Sequence, residues 1–254
     1  MDFTTLHHQS TPLLLGNVWD AASSRAAQQA GYQALGTSSA AIAAMLGYDD
    51  GEQMTFAELL FVVKRIRAAC DLPLSVDMEA GYGETAQQIT ENLQQLAQLG
   101  VVGVNLEDSR VVKGERQLLD ARLFAERLRA IRANVPDALF LNIRTDTFLL
   151  KVENALAETL YRGQLYAEQG AKGLFVPCVV SSADIAAIAR HVPLPLNVMC
   201  MPELAAFADL AQLGVRRISM GNVIHAALQT RLNHLLLAVQ TQQSFGGVFR
   251  VERD

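Results

Sequence analysis

Short apolar runs alternate with longer amphipathic stretches along nearly the whole chain. Apolar runs of about four to eight residues bounded by turn residues are typical of buried strands, whereas apolar residues spaced three and four apart indicate helices. The pattern predicts eight strands, over residues 13–19, 34–38, 74–79, 103–107, 139–145, 173–176, 196–199 and 217–220. It also predicts helices over residues 55–69, 85–99, 120–133, 152–169, 181–190, 202–213 and 222–239, followed by a polar tail over 240–254.

Glycines mark the helix ends in this alternation. Gly31, Gly100, Gly170 and Gly214 each follow an amphipathic stretch and precede an apolar run, where a left-handed residue commonly ends a helix. Strands separated by helices pair in parallel through right-handed crossovers. Eight repeats predict a closed (β/α)8 TIM barrel of the α/β class, as a single domain over residues 1–254. An open, doubly wound sheet is the alternative, but the glycine-rich phosphate-binding turn of such folds is not apparent here.

Composition narrows the expected partners. The 254 residues carry 26 acidic and 21 basic side chains, a formal charge of −5, and no run of Lys or Arg. We therefore expect no nucleic-acid partner and no binding to an anionic membrane. No apolar stretch of about 18 residues and no secretory leader is visible, so a cytoplasmic protein is expected. The three cysteines lack metal-binding spacing and are expected to be free thiols.

Polar residues collect where the predicted strands end. In a parallel barrel, function is built at these ends and in the loops that follow them. The residues concerned are Asp20, Ser38, Ser39, Asp77, Glu79, Glu107, Asp108, Arg144, Asp146, Asn197, Ser219 and Asn222. The sequence therefore predicts one site at the mouth of the barrel.

Acidic residues give the strongest signal in this set. Asp77 and Glu79 stand two apart on a predicted strand, and side chains at that spacing share a face. Facing carboxylates repel one another, so they normally need a cation or a proton between them. Glu107 would add a third acid, and three oxygen ligands with room for water suit Mg2+ or Mn2+. The alternative is that these acids cap helices, which explains Asp108 but not the pair.

Arg144 is a cation at the end of an otherwise apolar strand. Its guanidinium can bind a substrate carboxylate through two parallel hydrogen bonds. The alternative is an internal salt bridge to Asp146 or Glu107, and both roles can coexist. The small residues around Ser38 and Ser39 can surround an anionic oxygen with backbone amides and hydroxyls.

Several motifs together resemble the isocitrate lyase/phosphoenolpyruvate mutase superfamily over nearly the whole chain. They are Asn17-Val18-Trp19-Asp20, Leu46-Gly47-Tyr48-Asp49-Asp50-Gly51, Asp77-Met78-Glu79-Ala80-Gly81-Tyr82-Gly83, Asn105-Leu106-Glu107-Asp108 and Ile143-Arg144-Thr145-Asp146. The resemblance implies an enzyme that cleaves or forms a bond beside an oxyanion, through a metal-stabilised enolate of a small 2-oxo acid.

The same resemblance assigns roles to individual residues. Metal ligands for Mg2+, direct or through water, would be Asp77, Glu79 and Glu107. Substrate contacts would be Ser38, Ser39, Arg144 and Asn197, with Asp50 reaching in from its loop as a catalytic residue beside Arg144. Related proteins also pack their C-terminal helices between subunits, which, with the apolar last helix, predicts a homo-oligomer, either a dimer or a tetramer.

Two departures from the family pattern affect the expected reaction. Glu79 stands where the well-known lyases carry aspartate, and residues 109–116 contain no cysteine or histidine where those lyases carry both. A Mg2+-dependent lyase or decarboxylase without isocitrate or methylisocitrate lyase activity is therefore predicted. The alternatives are a carboxyphosphonoenolpyruvate or phosphoenolpyruvate mutase acting on a phosphonate, and a non-catalytic 2-oxo-acid-binding protein.

Overall fold

Parallel strands form the centre of the protein. The computed structural model describes residues 2–249. Its strands are β1 (Leu13–Leu14), β2 (Gly16–Val18), β3 (Leu35–Thr37), β4 (Leu74–Asp77), β5 (Gly103–Glu107), β6 (Ser109–Val112), β7 (Glu115–Leu118), β8 (Phe140–Arg144), β9 (Gly173–Val176), β10 (Leu196–Met199) and β11 (Val215–Ser219). The large sheet runs in the order β1-β11-β10-β9-β8-β5-β4-β3-β2, and its pairs are parallel.

The sheet closes because β1 and β2 are two parts of one extended segment. β1 pairs with β11 and β2 pairs with β3, on either side of Leu15. The Leu15 N–H donates to the carbonyl of Ile218 at 2.9 Å, which continues the ladder across the break. Counted as one strand, this segment and the seven others form the predicted (β/α)8 TIM barrel.

Helices follow the strands and cover the barrel. They are α1 (Phe3–Leu6), α2 (Ala21–Gln29), α3 (Ser39–Leu46), α4 (Phe56–Ala69), α5 (Ala86–Gln98), α6 (Ala121–Arg132), α7 (Ala155–Glu168), α8 (Ser182–His191), α9 (Phe207–Gln212) and α10 (Val223–Gln242). Thr55 and Thr85 begin α4 and α5 with reciprocal capping boxes, so these predicted helix starts are confirmed. Within residues 2–249, no helix is both long and apolar enough to cross a membrane.

The structure corrects the sequence prediction at several places. The strand predicted over 74–79 ends at Asp77, and the strand predicted over 13–19 ends at Val18. Only Phe207–Gln212 is helical within the helix predicted over 202–213. Residues 109–118, for which no element was predicted, form an antiparallel hairpin from β6 and β7. Residues 250–254 of the predicted tail lie outside the described residues.

Aromatic rings close the end of the barrel opposite the mouth. Phe3 of α1 meets Phe140 edge to face at 5.6 Å between ring centroids, and His7 stacks on Phe140 at 4.1 Å. His7 is 1% exposed, and its Nδ1 lies 3.0 Å from the carbonyl oxygen of Phe3, which fixes it as the donor. Its Nε2 has no hydrogen-bond partner among residues 2–249. Burial, and then the charge of Arg217, lower the pKa of His7 to about 3.

This buried histidine makes stability depend on pH. The unfolded chain binds the proton near the ordinary pKa of 6.5, whereas the folded chain resists it down to about 3. Stability is therefore lost as pH falls from 6.5 towards 3, by up to about 1.4 kcal/mol per pH unit. In urea unfolding, the wild type should lose about 2 kcal/mol more than His7→Phe between pH 7 and pH 5. Equal losses in the two proteins would contradict this reading, and the exposed control His8→Gln should follow the wild type.

Candidate active site

Asp77 is an acid of the mouth whose position hydrogen bonds define. It ends β4, and its own N–H donates to Thr37 Oγ1 at 2.8 Å. Its Oδ2 accepts the Ser39 hydroxyl at 2.8 Å and the Ser39 N–H at 3.3 Å. Its Oδ1 lies 3.4 Å from Asn105 Nδ2 on the neighbouring strand β5. Donors on two sides therefore fix the plane of this carboxylate.

Glu79 lies at the mouth, but its backbone does not have the extended conformation that the sequence pattern predicts. The backbone at Glu79 is left-handed, with φ of 47°, so Glu79 does not continue the strand and the shared-face argument is wrong. Its carboxylate accepts the Tyr82 hydroxyl at 2.7 Å and the Glu52 N–H at 2.8 Å. Burial raises the pKa of Glu79 to about 7, and the charges of Asp50 and Asp77 add to this shift. Asp77 and Glu79 are thus close neighbours, although Glu79 is not part of the strand that Asp77 ends.

Asp50 belongs to the same group of acids. It lies in the loop between α3 and α4, and burial together with the charge of Asp77 raises its pKa. Its Oδ2 lies 3.5 Å from Arg116 Nη2 on the β6–β7 hairpin. Gly51 permits this contact between loop and hairpin, because its φ is 112° and a Cβ there would lie 2.6 Å from Val111. The loop is therefore part of the mouth.

Two acids and two arginines form a closed ring of ion pairs beside this group. Glu107 contacts Arg116 through one oxygen and lies 2.9 Å from Arg144 Nη1 through the other. Asp146 lies 2.6 Å from Arg144 Nε and 3.4 Å from Arg116 Nη1. Burial lowers the pKa of Arg144, but Glu107 and Asp146 outweigh it and raise that pKa above its usual range. The predicted salt bridge of Arg144 is present to both acids.

Arg116 is a site residue that sequence reasoning missed. It lies on β7, and it reaches the mouth because β6 and β7 turn tightly at Lys113 and Gly114. Both turn residues have positive φ, 53° and 83°, as a two-residue hairpin turn requires. The available signal was the glycine at the second position of a two-residue turn between two extended stretches, because glycine adopts the positive φ that such a turn needs. The hairpin thus brings a second cation to Glu107.

Two further predicted residues, Ser38 and Asn197, lie outside this group of acids and arginines. Ser38 begins α3, where its hydroxyl accepts the Ala41 N–H at 3.3 Å. Asn197 is 1% exposed and hydrogen bonds with Asn142 and Ser219 inside the barrel, so the geometry does not support its predicted substrate contact.

Asp108 faces away from the mouth and caps no helix. It accepts hydrogen bonds from Arg162, Tyr166 and Thr145 at 2.7 to 3.0 Å, beneath α7. The charge of this acid is therefore offset within the protein, and its carboxylate does not point into the mouth.

The donor set fits a hydrated divalent cation. Carboxylate oxygens are the ligands that Mg2+ and Mn2+ prefer, and Mg2+ commonly keeps several waters. Within residues 2–249, no three acidic, His or Cys side chains converge closely enough to enclose an ion. Both oxygens of Glu107 face arginines, so of the two modes that the resemblance implies for Glu107, direct contact with the ion or contact through water, the geometry favours contact through water. Asp77 could bind such an ion directly, and the other acids could hold its waters.

Comparison with known proteins identifies the family. The family model described as phosphoenolpyruvate phosphomutase matches residues 3–240. An uncharacterized protein of Mycobacterium tuberculosis is 35% identical over 89% of this chain and 84% of its own length. Oxaloacetate decarboxylase of Pseudomonas aeruginosa is 30% identical over 83% of this chain and 75% of its own.

A solved structure from Burkholderia cenocepacia, classed as a candidate phosphonomutase, agrees with a TM-score of 0.86. It is 42% identical and covers 92% of this chain and 96% of its own. The match to the family model over most of the chain, together with these relatives, shows that this protein is an enzyme of the phosphoenolpyruvate phosphomutase family, within the isocitrate lyase/phosphoenolpyruvate mutase superfamily.

Proposed function

We propose that the protein is a Mg2+- or Mn2+-dependent lyase or decarboxylase that cleaves a bond beside a small 2-oxo acid. One observation carries this proposal. The mouth of the barrel sets the acids Asp50, Asp77 and Glu79 beside two arginines that already share Glu107 and Asp146. A dication held by the acids and a carboxylate held by an arginine are what a chelating 2-oxo acid needs.

Asp77 would bind the cation directly, and Asp50, Glu79 and Glu107 would hold its waters. The bound cation would polarise the 2-oxo oxygen and offset the charge that develops there when the bond breaks. Because four acids surround the position, removing any one of them changes both the charge and the water structure of the site. Asp77 is the acid whose loss should matter most, because its carboxylate is already oriented by Ser39 and Asn105.

Arg144 would bind the substrate carboxylate. A guanidinium has five N–H groups, and the ion pairs of Arg144 with Glu107 and Asp146 do not use all of them. The electron pair released on cleavage moves onto the 2-oxo oxygen, and the positive charges of Arg144 and Arg116 stabilise it there. Ser38 and Ser39, at the start of α3, would donate to the same oxygens. The hairpin, packed by Val111 against Gly51, limits access of water to this group.

Metal binding can be tested by thermal unfolding. Millimolar Mg2+ or Mn2+ should raise the melting temperature, because an ion that binds only the folded state stabilises it. Asp77→Ala should abolish this response and should not lower the melting temperature without metal, since it relieves repulsion among the acids. The control Asp137→Ala, at a side chain 95% exposed, should keep the full response. A shift that persists undiminished in Asp77→Ala would refute the site.

The reaction class follows from what the hairpin contributes. Residues 109–116 supply Arg116 and no thiol or imidazole, so the hairpin offers no group of suitable pKa to protonate the carbanion left by a tricarboxylate. We expect negligible cleavage of isocitrate and 2-methylisocitrate, and measurable decarboxylation of oxaloacetate, in steady-state assays with Mg2+. A kcat of about 1 per second or more for either tricarboxylate would contradict the assignment.

A phosphonate mutase is the second candidate. Its support is the 42% identity to the candidate phosphonomutase, together with two adjacent guanidinium groups that suit a phosphonate. Including phosphonopyruvate in the same assay panel separates the two candidates. Inactivity towards every substrate, combined with tight binding of oxalate, would instead favour a non-catalytic 2-oxo-acid-binding protein.

A homo-oligomer is also proposed, from the exposure of α10. His225 is the one side chain of this 20-residue helix that is buried, and it meets Trp19 at 4.9 Å between ring centroids. Leu228 and Leu236 are 53% and 61% exposed. A groove of about 540 Å³ between α2 and α10 is lined in part by Trp19 and Leu228. Such an exposed apolar helix next to an apolar groove is typical of a subunit interface.

Light scattering at micromolar concentration should give the mass of a dimer or tetramer. The double variant Leu232→Glu with Leu236→Glu should reduce the mass towards that of one chain, because charges would replace apolar contacts. The control Leu123→Glu alters a side chain that is 67% exposed on α6, and it should leave the mass unchanged. A monomeric wild type would refute the proposal.

A further inference from the structure

Arg217 lies inside the barrel, where no carboxylate of residues 2–249 forms an ion pair with it. It belongs to β11 and is 1% exposed. Its Nη2 donates to Asn105 Oδ1 on the opposite side of the barrel at 3.2 Å. Its Nε and Nη1 have no hydrogen-bond partner among residues 2–249. This cation is therefore held by one amide oxygen, in the layer between the aromatic plug and the mouth.

Such a placement weakens the fold. Removing a cation from water destabilises the folded state unless an anion and further hydrogen bonds offset that cost. Arg162 shows the compensated case, because Asp108 and Glu158 lie 3.0 and 2.7 Å from it. Burial lowers the pKa of Arg217 to about 9, and the more distant charge of Asp77 opposes that shift. A side chain that reduces stability in this way is expected to serve the site instead.

Hydrogen bonds connect Arg217 to the mouth. Asn105 Oδ1 accepts from both Arg217 and Asn142, at 3.2 and 2.9 Å. Two donors on this oxygen determine which way the Asn105 amide faces, so its Nδ2 is turned towards Asp77 Oδ1, 3.4 Å away. Ser39 holds the other oxygen of Asp77. The orientation of the Asp77 carboxylate thus depends on a residue that lies one layer deeper.

We propose that Arg217 is a positioning residue for the divalent cation site, acting through Asn105 to hold the Asp77 carboxylate in its binding orientation. This inference rests on the proposed role of Asp77 as a metal ligand. Groups that orient a ligand from behind commonly change metal affinity about 10- to 100-fold when they are removed. The expected effect is therefore on binding of the ion as well as on activity.

The first test is the affinity for Mn2+ measured by calorimetry. Arg217→Met should weaken binding about tenfold, because Asn105 loses a donor and Asp77 gains rotational freedom. A direct electrostatic effect has the opposite sign, since removing a nearby cation would tighten binding of a dication. Unchanged or tighter binding in Arg217→Met would therefore overturn the proposal.

A double-mutant cycle tests the route through Asn105. Asn105→Ala should weaken Mn2+ binding by itself, and adding Arg217→Met to it should change the affinity by no more than about twofold. Independent, multiplying effects of the two substitutions would show that Arg217 acts by another route and would overturn the proposal.

The melting temperature without metal and a second variant distinguish a loss of metal binding from a loss of folding. Without metal, Arg217→Met should melt at or above the temperature of the wild type, because an unpaired buried charge is gone. If Arg217→Met does not fold, Arg217→Lys replaces it. The Lys ammonium ends nearer the backbone and cannot reach Asn105 with the planar fork of arginine, so the same weakening is expected. Failure of the wild type to bind Mn2+ would refute the metal site itself, whereas normal binding by both the wild type and the variant would refute only the role of Arg217.

Discussion

The carboxylates at the mouth of the barrel are buried and close enough together to repel one another. The arrangement of the other site residues follows from how this repulsion is offset. Glu107 and Asp146 each contact the same two arginines, so their charges are balanced inside the protein. Glu79 is held by the Tyr82 hydroxyl and the Glu52 N–H, and burial raises its pKa to about 7. The mouth therefore has a neutralised half, which suits an anionic substrate, and an acidic half, which suits a cation.

The same constraint explains why two loops meet over the strand ends. Arg116 reaches Glu107 only because the hairpin folds back across the mouth, and its other arm extends to Asp50 in the loop after α3. Arg110 ties the opposite side of the hairpin to Glu84, and Val111 fills the space beside Gly51. These contacts link the acids to the hairpin both electrostatically and sterically. A change in charge at the acids, such as binding of a dication, therefore acts on the segment that covers them.

The sequence was sufficient to predict the barrel and most of the residues at its mouth. Periodicity located the strands, because parallel strands are buried on both faces and appear as continuous apolar runs. It failed at Glu79, where a left-handed residue ends the strand without a glycine or proline to mark it. The sequence pattern also failed to identify Arg116 as a site residue. Arg116 comes close to Glu107 through the turn of the β6–β7 hairpin. Contacts between loops are set by tertiary packing, which local patterns do not record.

Glu107 and Asp108 show why adjacent acids in one motif take different roles. Successive side chains of extended backbone point to opposite sides of a sheet. Glu107 therefore faces the barrel interior, beside Arg144, while Asp108 faces α7 and meets Arg162 and Tyr166. The outward acid stabilises the packing of a helix on the barrel, and the inward acid sets the charge of the mouth. Arg144 and Thr145 repeat this division on β8 and just after it, since the Thr145 hydroxyl donates to Asp108 at 2.8 Å. In each of these two pairs, one side chain lies in the site. The other side chain holds the backbone in place from the outer side of the barrel.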